Sequence, residues 1–503
     1  MADHDLLGST LEPLRVRRDS RTWQVPSLTV LFHSGDPDRA GEVARLVDLL
    51  DGKTCTLSRL EPSFSRPGET RGQPLGDRHL SRTPATFVAQ GDGVRVESVG
   101  SSLQADGRSI PPARTWSRSE LERGVVIEMA DRVALLLHVL GPPLPRRPRL
   151  GMVGDSESME RVREEVRHLA GLATPVLISG ESGTGKELVA RALAAAAGVR
   201  AGGPFVAVNM AAIPPSTAAS ELFGHRAGAF TGAARQRSGF FAQADGGTLF
   251  LDEIATAGLD VQAMLLRALE TGETQPLGGE TSERVDVRVL AATDEDLHRS
   301  MREGRFREAL YHRLAACQIK LPPLRERLDD LGRLLVHFIR SESRSDDLGW
   351  IPAPLVARLA RYHWPGNVRE LLNVARRLIA ANRAGKSIDE RILPPELLAD
   401  RQCSEPAGPS PLAGVEVGED AVHSALKANH WRIGAAARAL GISRTRLYSL
   451  IEASGAIRKA KDVPEQELRA AHQACRGDVE AMAEQLQVSS RGIRLKLKEL
   501  GLS

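Results

Sequence analysis

Cysteine is scarce in this 503-residue chain, and the four present, Cys55, Cys317, Cys403 and Cys475, lie far apart with no CxxC pair. That spacing excludes a disulfide framework and a zinc site built on paired cysteines. Long apolar runs are missing too. The longest, near "VALLLHVL" at Val133 to Leu140, falls far short of the ~20 residues a spanning helix needs. The opening "MADHDLLGST" lacks the charged-then-apolar pattern of a secretory signal. A cytoplasmic location with no membrane partner is therefore expected. Excess charge is also absent, since 67 Lys and Arg oppose 64 Asp and Glu for a net +3. Bulk charge gives no argument for nucleic acid, so any basic surface has to be local.

The length predicts about three or four domains, at roughly 100–200 residues each. Two stretches rich in proline, "GPPLPRRPR" (Gly141 to Arg149) and "CSEPAGPSPLAGVEVGED" (Cys403 to Asp420), resist helix and central strand and read as linkers. The organisation expected is an extension over 1–24, a β-sandwich over 25–140, a linker over 141–149, an α/β domain with a helical lid over 150–385, a linker over 386–418, and all-α units over 419–455 and 456–503. Short runs such as "SLTVLF", "ATFVAQ" and "GVVIEM" carry the sandwich. Alternation of "TPVLISG", "KELVARALAAAAG", "GTLFLDE" and "VRVLAAT" predicts a parallel α/β sheet.

The chemistry starts at "GESGTGKE", which is Gly180, Glu181, Ser182, Gly183, Thr184, Gly185, Lys186 and Glu187. It follows an apolar strand and opens a helix, the context a phosphate-binding loop needs. Its N–H groups and the helix start converge on phosphate oxygens. Lys186 would neutralise the β- and γ-phosphates of ATP. Glu187 stands where Ser or Thr usually ligates magnesium; it, Thr184 or water remains open as the ligand. In "GGTLFLDE", Asp252 would hold the metal and Glu253 would polarise the attacking water. Positive charge on the γ-phosphate is often an arginine supplied in trans, and "REGRFREALYHRLA" offers several.

These motifs occur together with "ELFGHRAGAFTGA", "LPPLRER" and "WPGNVREL". In that order they resemble the sigma-54-dependent transcriptional activators, the bacterial enhancer-binding proteins of the AAA+ P-loop class. The resemblance covers roughly 150–385. It implies a ring-forming ATPase, a hexamer by analogy, that remodels sigma-54 RNA polymerase. It implies that Gly228, Ala229, Phe230, Thr231, Gly232 and Ala233 touch sigma-54. An aromatic on a glycine-flanked loop is costly unless a partner covers it, and this reading supplies the partner. By the same resemblance Asn209 is the switch asparagine, Arg307 and Arg313 are the trans-acting arginines, Arg369 is the lid arginine, and Val153 and Gly154 meet the adenine. The chain departs from the family at Asp294, where Asn is usual, and at Arg226 and Ala227, where an acid and a lysine are common. The loop base is expected to be wired differently.

The C-terminal region repeats itself, Ala425 to Gly455 aligning without gaps on Ala471 to Gly501. "GAAARALGISRTRLYSLI" is a helix-turn-helix pattern, and it resembles the Fis-type DNA-binding domain. Arg444, Thr445, Arg446 and Tyr448 would enter the major groove of upstream DNA. In the second copy Ser490, Arg491, Arg494 and Lys496 correspond. From Glu419 to Ser503 there are fourteen Lys and Arg against ten Asp and Glu, so binding should be salt-sensitive and rely on assembly. The N-terminal sandwich resembles a forkhead-associated (FHA) domain. That resemblance implies phosphothreonine recognition by Arg59, Ser81, Arg82, Ser101 and Ser102, with Arg supplying paired charged hydrogen bonds. Ser58, Pro84 and Leu103 stand where that family usually has Gly, His and Asn. No Asp-rich receiver pattern is present. Two rivals remain at this stage: a DNA-binding scaffold with a weak ATPase, and an AAA+ remodeller of another client.

Overall fold

The computed structural model describes residues 24–386 apart from 70, 81–84, 99–102, 111–112, 143–146, 230–232 and 234. Beyond 386 it describes 388, 393, 423–424, 426–427, 431, 463–475 and part of 478–497. The chain forms two compact units, 1–401 and 402–503.

The short N-terminal runs form β1 (Val25–His33), β2 (Val43–Arg45), β3 (Cys55–Leu57), β4 (Ala85–Gln90), β5 (Gly93–Ser98), β6 (Leu103–Ala105), β7 (Arg108–Ser109), β8 (Ala113–Trp116), β9 (Val125–Met129) and β10 (Val133–Leu140). They make an antiparallel sheet ordered β2-β1-β10-β9-β6-β7 and a second ordered β3-β4-β5-β8. Leu28, Val30, Leu135 and Leu137 of the first sheet meet Phe87, Val96 and Trp116 of the second in one buried core. A sandwich is thus present, with the helix α1 (Arg118–Arg123) closed by a capping box at Ser117 and Glu120.

The next domain alternates strand and helix. Its strands are β11 (Val176–Ser179), β12 (Phe205–Asn209), β13 (Thr248–Asp252), the hairpin β14 (Glu273–Thr274) and β15 (Glu283–Arg284), β16 (Arg288–Thr293) and β17 (Cys317–Lys320). Between them lie α2 (Glu157–Ala170), α3 (Lys186–Ala195), α4 (Pro215–Phe223), α5 (Phe240–Gln243), α6 (Leu259–Thr271), α7 (Leu297–Arg302) and α8 (Glu308–Leu314). The parallel sheet is ordered β12-β13-β16-β11-β17. The three inner strands β13, β16 and β11 bury both faces, which is why they read as apolar runs, while the edge strands β12 and β17 are partly exposed. A lid follows, with α9 (Leu331–Ser343), α10 (Ala353–Ala360) and α11 (Asn367–Arg383). Leu331, Leu334, Leu335 and Ile339 of α9 recur at helical spacing and pack on Leu371, Val374 and Leu378 of α11.

The lid shares this core with the sandwich. Leu31, Phe32, Ala40, Val126, Ala134 and Leu136 are buried in the same cluster as the lid helices. A register shift between Val30 and Phe32 explains how β1 serves two cores. Leu28 and Val30 face inward; the extra residue turns Phe32 to the lid side. Arg340 holds Asp38 with both terminal nitrogens, and Arg361 pairs with the buried Glu128. The approach is backbone-close. A Cβ placed on Gly332 would lie 1.7 Å from the Leu31 carbonyl oxygen.

Two outcomes follow. Gly332→Ala should destabilise the sandwich–lid unit by about 1–3 kcal/mol, the ordinary cost of overpacking, read from the urea midpoint; an unchanged midpoint would contradict the close approach. His138, whose Nε2 lies 2.7 Å from Thr29 Oγ1, is held neutral. Burial first, then the Arg45 charge, lower its pKa from 6.5 to about 3. The unfolded chain binds the proton below 6.5 and the folded chain does not. Stability should therefore fall by about 1.4 kcal/mol per pH unit below that point. Urea melts at pH 7.5 and 5.5 test this, and His138→Gln should flatten the difference.

Candidate functional site

The C-terminal edge of the parallel sheet gathers the predicted residues. Ser179 pairs with Thr293, and Asn209 pairs with Asp252. The chain leaves β11 through Gly180 at φ +158, turns at Gly183 (φ +78) and Gly185 (φ +104), and enters α3 at Lys186. These φ values suit glycine, and they turn the loop back over the helix start. Lys186 is buried and its Nζ donates to the Gly180 carbonyl at 2.9 Å. Thr184 is buried, its hydroxyl donating to Glu181 O at 2.7 Å. Glu187 is tied to Arg191 at 2.7 Å on the exposed face of α3. Of the three oxygen donors weighed for magnesium, it is the one drawn away.

Asp252 accepts from the Glu253 N–H at 3.0 Å. Glu253 itself lies at φ 54 and ψ 45, a left-handed conformation that a non-glycine residue adopts at a cost. Burial pushes its carboxyl up to about 7. A hydrogen bond with Asp294 and that carboxylate's charge push the same way, while Lys186 opposes them. Asp294, at β16's exit, therefore acts directly on Glu253. Asn209 uses its amide oxygen to accept from Ala211 N at 2.9 Å, capping the turn that follows β12.

The lid closes on the loop from the other side. Val368 N and Arg369 N donate to Gly183 O at 3.0 and 3.3 Å. Arg369 Nη1 donates to Ser182 Oγ at 3.1 Å. Gly183 has to be glycine on contact grounds as well, since a Cβ there would lie 2.3 Å from Gly366 O. Sequence alone assigns a role here only to Arg369. It misses Asn367, Arg325 and Arg327, although all three sit in the quoted motifs "WPGNVREL" and "LPPLRER". Arg325 grips the Glu181 carboxylate at 2.6 and 2.8 Å. Glu181 is thus an anchor to the lid side. Gly154 approaches the buried Asp330, which accepts from Asp155 N and Ser156 N at 2.6 and 2.8 Å. Val153 packs against the lid core.

Arg307 and Arg313 are exposed, and each donates to a carbonyl of α6, Leu259 O and Leu269 O respectively. The Gly228–Ala233 loop closes at its base, Gly228 N donating to Ala233 O at 2.8 Å. Its tip, Phe230, Thr231 and Gly232, lies outside the described residues. Arg226 at the base reaches Gln236 and, across to β15, Glu283, both at 2.9 Å.

In the sandwich, Arg59 reaches toward Arg78 O at 3.5 Å, and Ser58 accepts from Leu60 N and Glu61 N. Leu103 is part of the sandwich core. Ser81, Arg82, Ser101 and Ser102 lie outside the described residues. So do Arg444, Thr445, Arg446, Tyr448, Ser490, Arg491 and Arg494. Lys496 is described, and its ammonium donates to Val463 O within the C-terminal unit. Helices at Glu465–Ala474 and Val479–Leu486 are present there.

Residues 152–320 match the Sigma-54 interaction domain family, and residues 325–409 match the AAA+ ATPase lid domain family. The DNA-binding transcriptional regulator NtrC of Azospirillum brasilense is 47% identical over 272 residues, covering 53% of this chain and 56% of that protein. NtrC of Rhizobium meliloti is 38% identical over 386 residues, covering 75% of this chain and 76% of that protein. The chain thus spans little more than half the length of the Azospirillum relative. Among solved structures, NtrX from Brucella abortus in complex with ATP aligns at 30% identity over 61% of this chain and 69% of its own, with a TM-score of 0.45.

Proposed function

The chain belongs to the NtrC-like sigma-54-dependent transcriptional activators, and from that premise we propose that it hydrolyses ATP in an oligomeric ring, hexameric by family analogy, to remodel sigma-54 RNA polymerase at a promoter. The observation that carries the reading is the junction at the sheet edge. A glycine-turned loop with Lys186 follows β11, Asp252 and Glu253 end β13 on the far side of the intervening β16, and a lid arginine bonds to the loop. That is a phosphate cradle, a metal carboxylate and a water-polarising base within one cleft. Asp252 suits magnesium, which takes one or two protein carboxylates and shares the nucleotide's phosphates. When bound, the metal neutralises developing charge on the phosphates.

Glu253 is the group that orients water. Lys186, which reaches its own loop's carbonyl, is placed to trade that contact for phosphate oxygens. Arg307 and Arg313, exposed along α6, serve the neighbouring subunit's nucleotide. The Gly228–Ala233 loop meets sigma-54 through Phe230 and Thr231. Its closed base, braced on Glu283, supports it as a lever rather than a slack loop. The C-terminal helices tether the ring to upstream DNA, with Arg444, Thr445, Arg446 and Tyr448 in the groove and the second copy assisting. The sandwich acts as an FHA-like sensor; Arg59, Ser81, Arg82, Ser101 and Ser102 are its phosphothreonine contacts. The cytoplasm is the compartment in which all these partners are found.

The test is open-complex formation by sigma-54 polymerase with ATP, beside an ATPase assay. The unmodified chain should do both. Glu253→Gln should retain ATP binding and lose hydrolysis by about 10²–10⁴-fold, the usual contribution of a general base. Thr231→Ala should hydrolyse ATP and open nothing. Hydrolysis by the unmodified chain without promoter opening would sink the sigma-54 assignment in favour of another client.

A further inference from the structure

Three consecutive carbonyls of the phosphate loop, those of Ser182, Gly183 and Thr184, are bonded from the lid side. Ser182 O accepts from Asn367 Nδ2 at 3.0 Å. Gly183 O accepts from Val368 N and Arg369 N. Thr184 O accepts from Arg327 Nη2 at 3.1 Å. In a trans peptide the carbonyl and the following N–H point in opposite directions. Pulling the Ser182 and Thr184 carbonyls toward the lid therefore turns the N–H groups of Gly183 and Gly185 away from it, into the concave side where phosphate oxygens are bound.

Two of the donors are buried side chains with few alternatives. Asn367 is fully buried and stands at φ 50, a conformation asparagine tolerates better than most residues. Its whole amide is committed. Oδ1 accepts from Leu324 N at 2.8 Å, and Nδ2 donates to both Ser182 O and Glu181 Oε2, the latter at 3.2 Å. The neighbours fix that orientation, because the Leu324 N–H needs an acceptor and Ser182 O needs a donor. Arg327 is 3% exposed. Burial lowers its pKa, with Asp330 and Asp329 beside it as counter-charges.

We propose that Asn367 and Arg327 are positioning residues of the phosphate loop, setting the direction of its peptides so that lid placement and phosphate affinity change together. The idea rests on the ATP-binding reading above and extends it to two residues that act through the loop's carbonyls. A lid that swings away takes three carbonyl partners with it, and the loop's N–H groups lose their common aim. A bound phosphate, by holding those N–H groups, holds the lid. The coupling runs both ways, as linkage requires.

Asn367→Asp in the full chain is the test. Aspartate keeps the acceptor for Leu324 N and the left-handed backbone, but it sets a second oxygen against Ser182 O and the Glu181 carboxylate. The dissociation constants for ATP, ADP and adenosine are measured by calorimetry, with a thermal melt of each protein. The expected result is a rise of about tenfold or more for ATP and ADP, the size of losing a buried hydrogen bond, with adenosine unchanged. Equal ATP affinity, or parallel loss of adenosine, would overturn the proposal, because a merely structural defect does not single out phosphates. If Asn367→Asp fails to fold, Asn367→Gly, which suits a positive φ, carries the same expectation. An unmodified chain that binds adenosine and ATP equally would overturn both this inference and the ATPase reading. An unmodified chain that prefers ATP beside a variant that prefers it equally would overturn this one alone.

Discussion

One set of lid helices is buried against two different parts of the chain, and that double burial governs the rest of the first unit. On one side Leu334, Leu335, Val356 and Leu359 share a core with Leu31, Phe32, Val126 and Leu136 of the sandwich. On the other, the start of α11 and the segment before α9 bond to the phosphate loop. Magnitudes decide which contacts matter at the sandwich. A fully buried Leu or Phe is worth about 1.5–3 kcal/mol. The Asp38–Arg340 pair is largely exposed, and such pairs are worth about 0–1 kcal/mol. Apolar burial therefore holds the sandwich on the lid, and the ion pairs fix its angle. A sandwich attached in this way does not trail on a tether. It shares one buried core with the lid helices, so a strain in either is felt by the other.

The carboxylates that end β13 show the same economy of a few contacts serving several ends. Glu253 lies in a left-handed conformation immediately after a strand residue whose carboxylate accepts its own N–H. This aims the side chain off the sheet edge and against Asp294. A hydrogen bond between two carboxyl groups exists only while one of them holds a proton. An asparagine in that place would donate to an ionised Glu253 outright, so Asp294 acts on the protonation of Glu253.

Much of this was legible in the sequence because it is local. The loop "GESGTGKE", its strand and its helix occupy consecutive residues, so glycine chemistry and apolar patterning identify them together. The sandwich strands were legible for the same reason. The sandwich–lid core was not, since its partners lie hundreds of residues apart. Yet a trace of it stands in β10. "VALLLHVL" lacks the alternation of a strand with one wet face, and its unbroken run is explained by Leu135 and Leu137 facing one core while Ala134 and Leu136 face the other. The residues assigned to DNA and to phosphothreonine rest on resemblance alone, and most of them lie outside the described residues.

The side chains of Glu181 and Arg226 show what a local motif leaves out. Glu181 is read from sequence as one position of the phosphate loop. Its carboxylate is held by Arg325 and Asn367, 144 and 186 residues away. Arg226 reads as a charge reversal at the base of the sigma-54 loop. In space it meets Glu283 on the neighbouring hairpin, so the arginine at the loop base is paired. The loop also leans on that hairpin's turn, because Arg226 N donates to Leu277 O and Leu277 N donates to Gly224 O. These backbone bonds hold the loop base whichever charge Arg226 carries, and the side-chain pair that joins them links residues 57 positions apart, which no local motif contains.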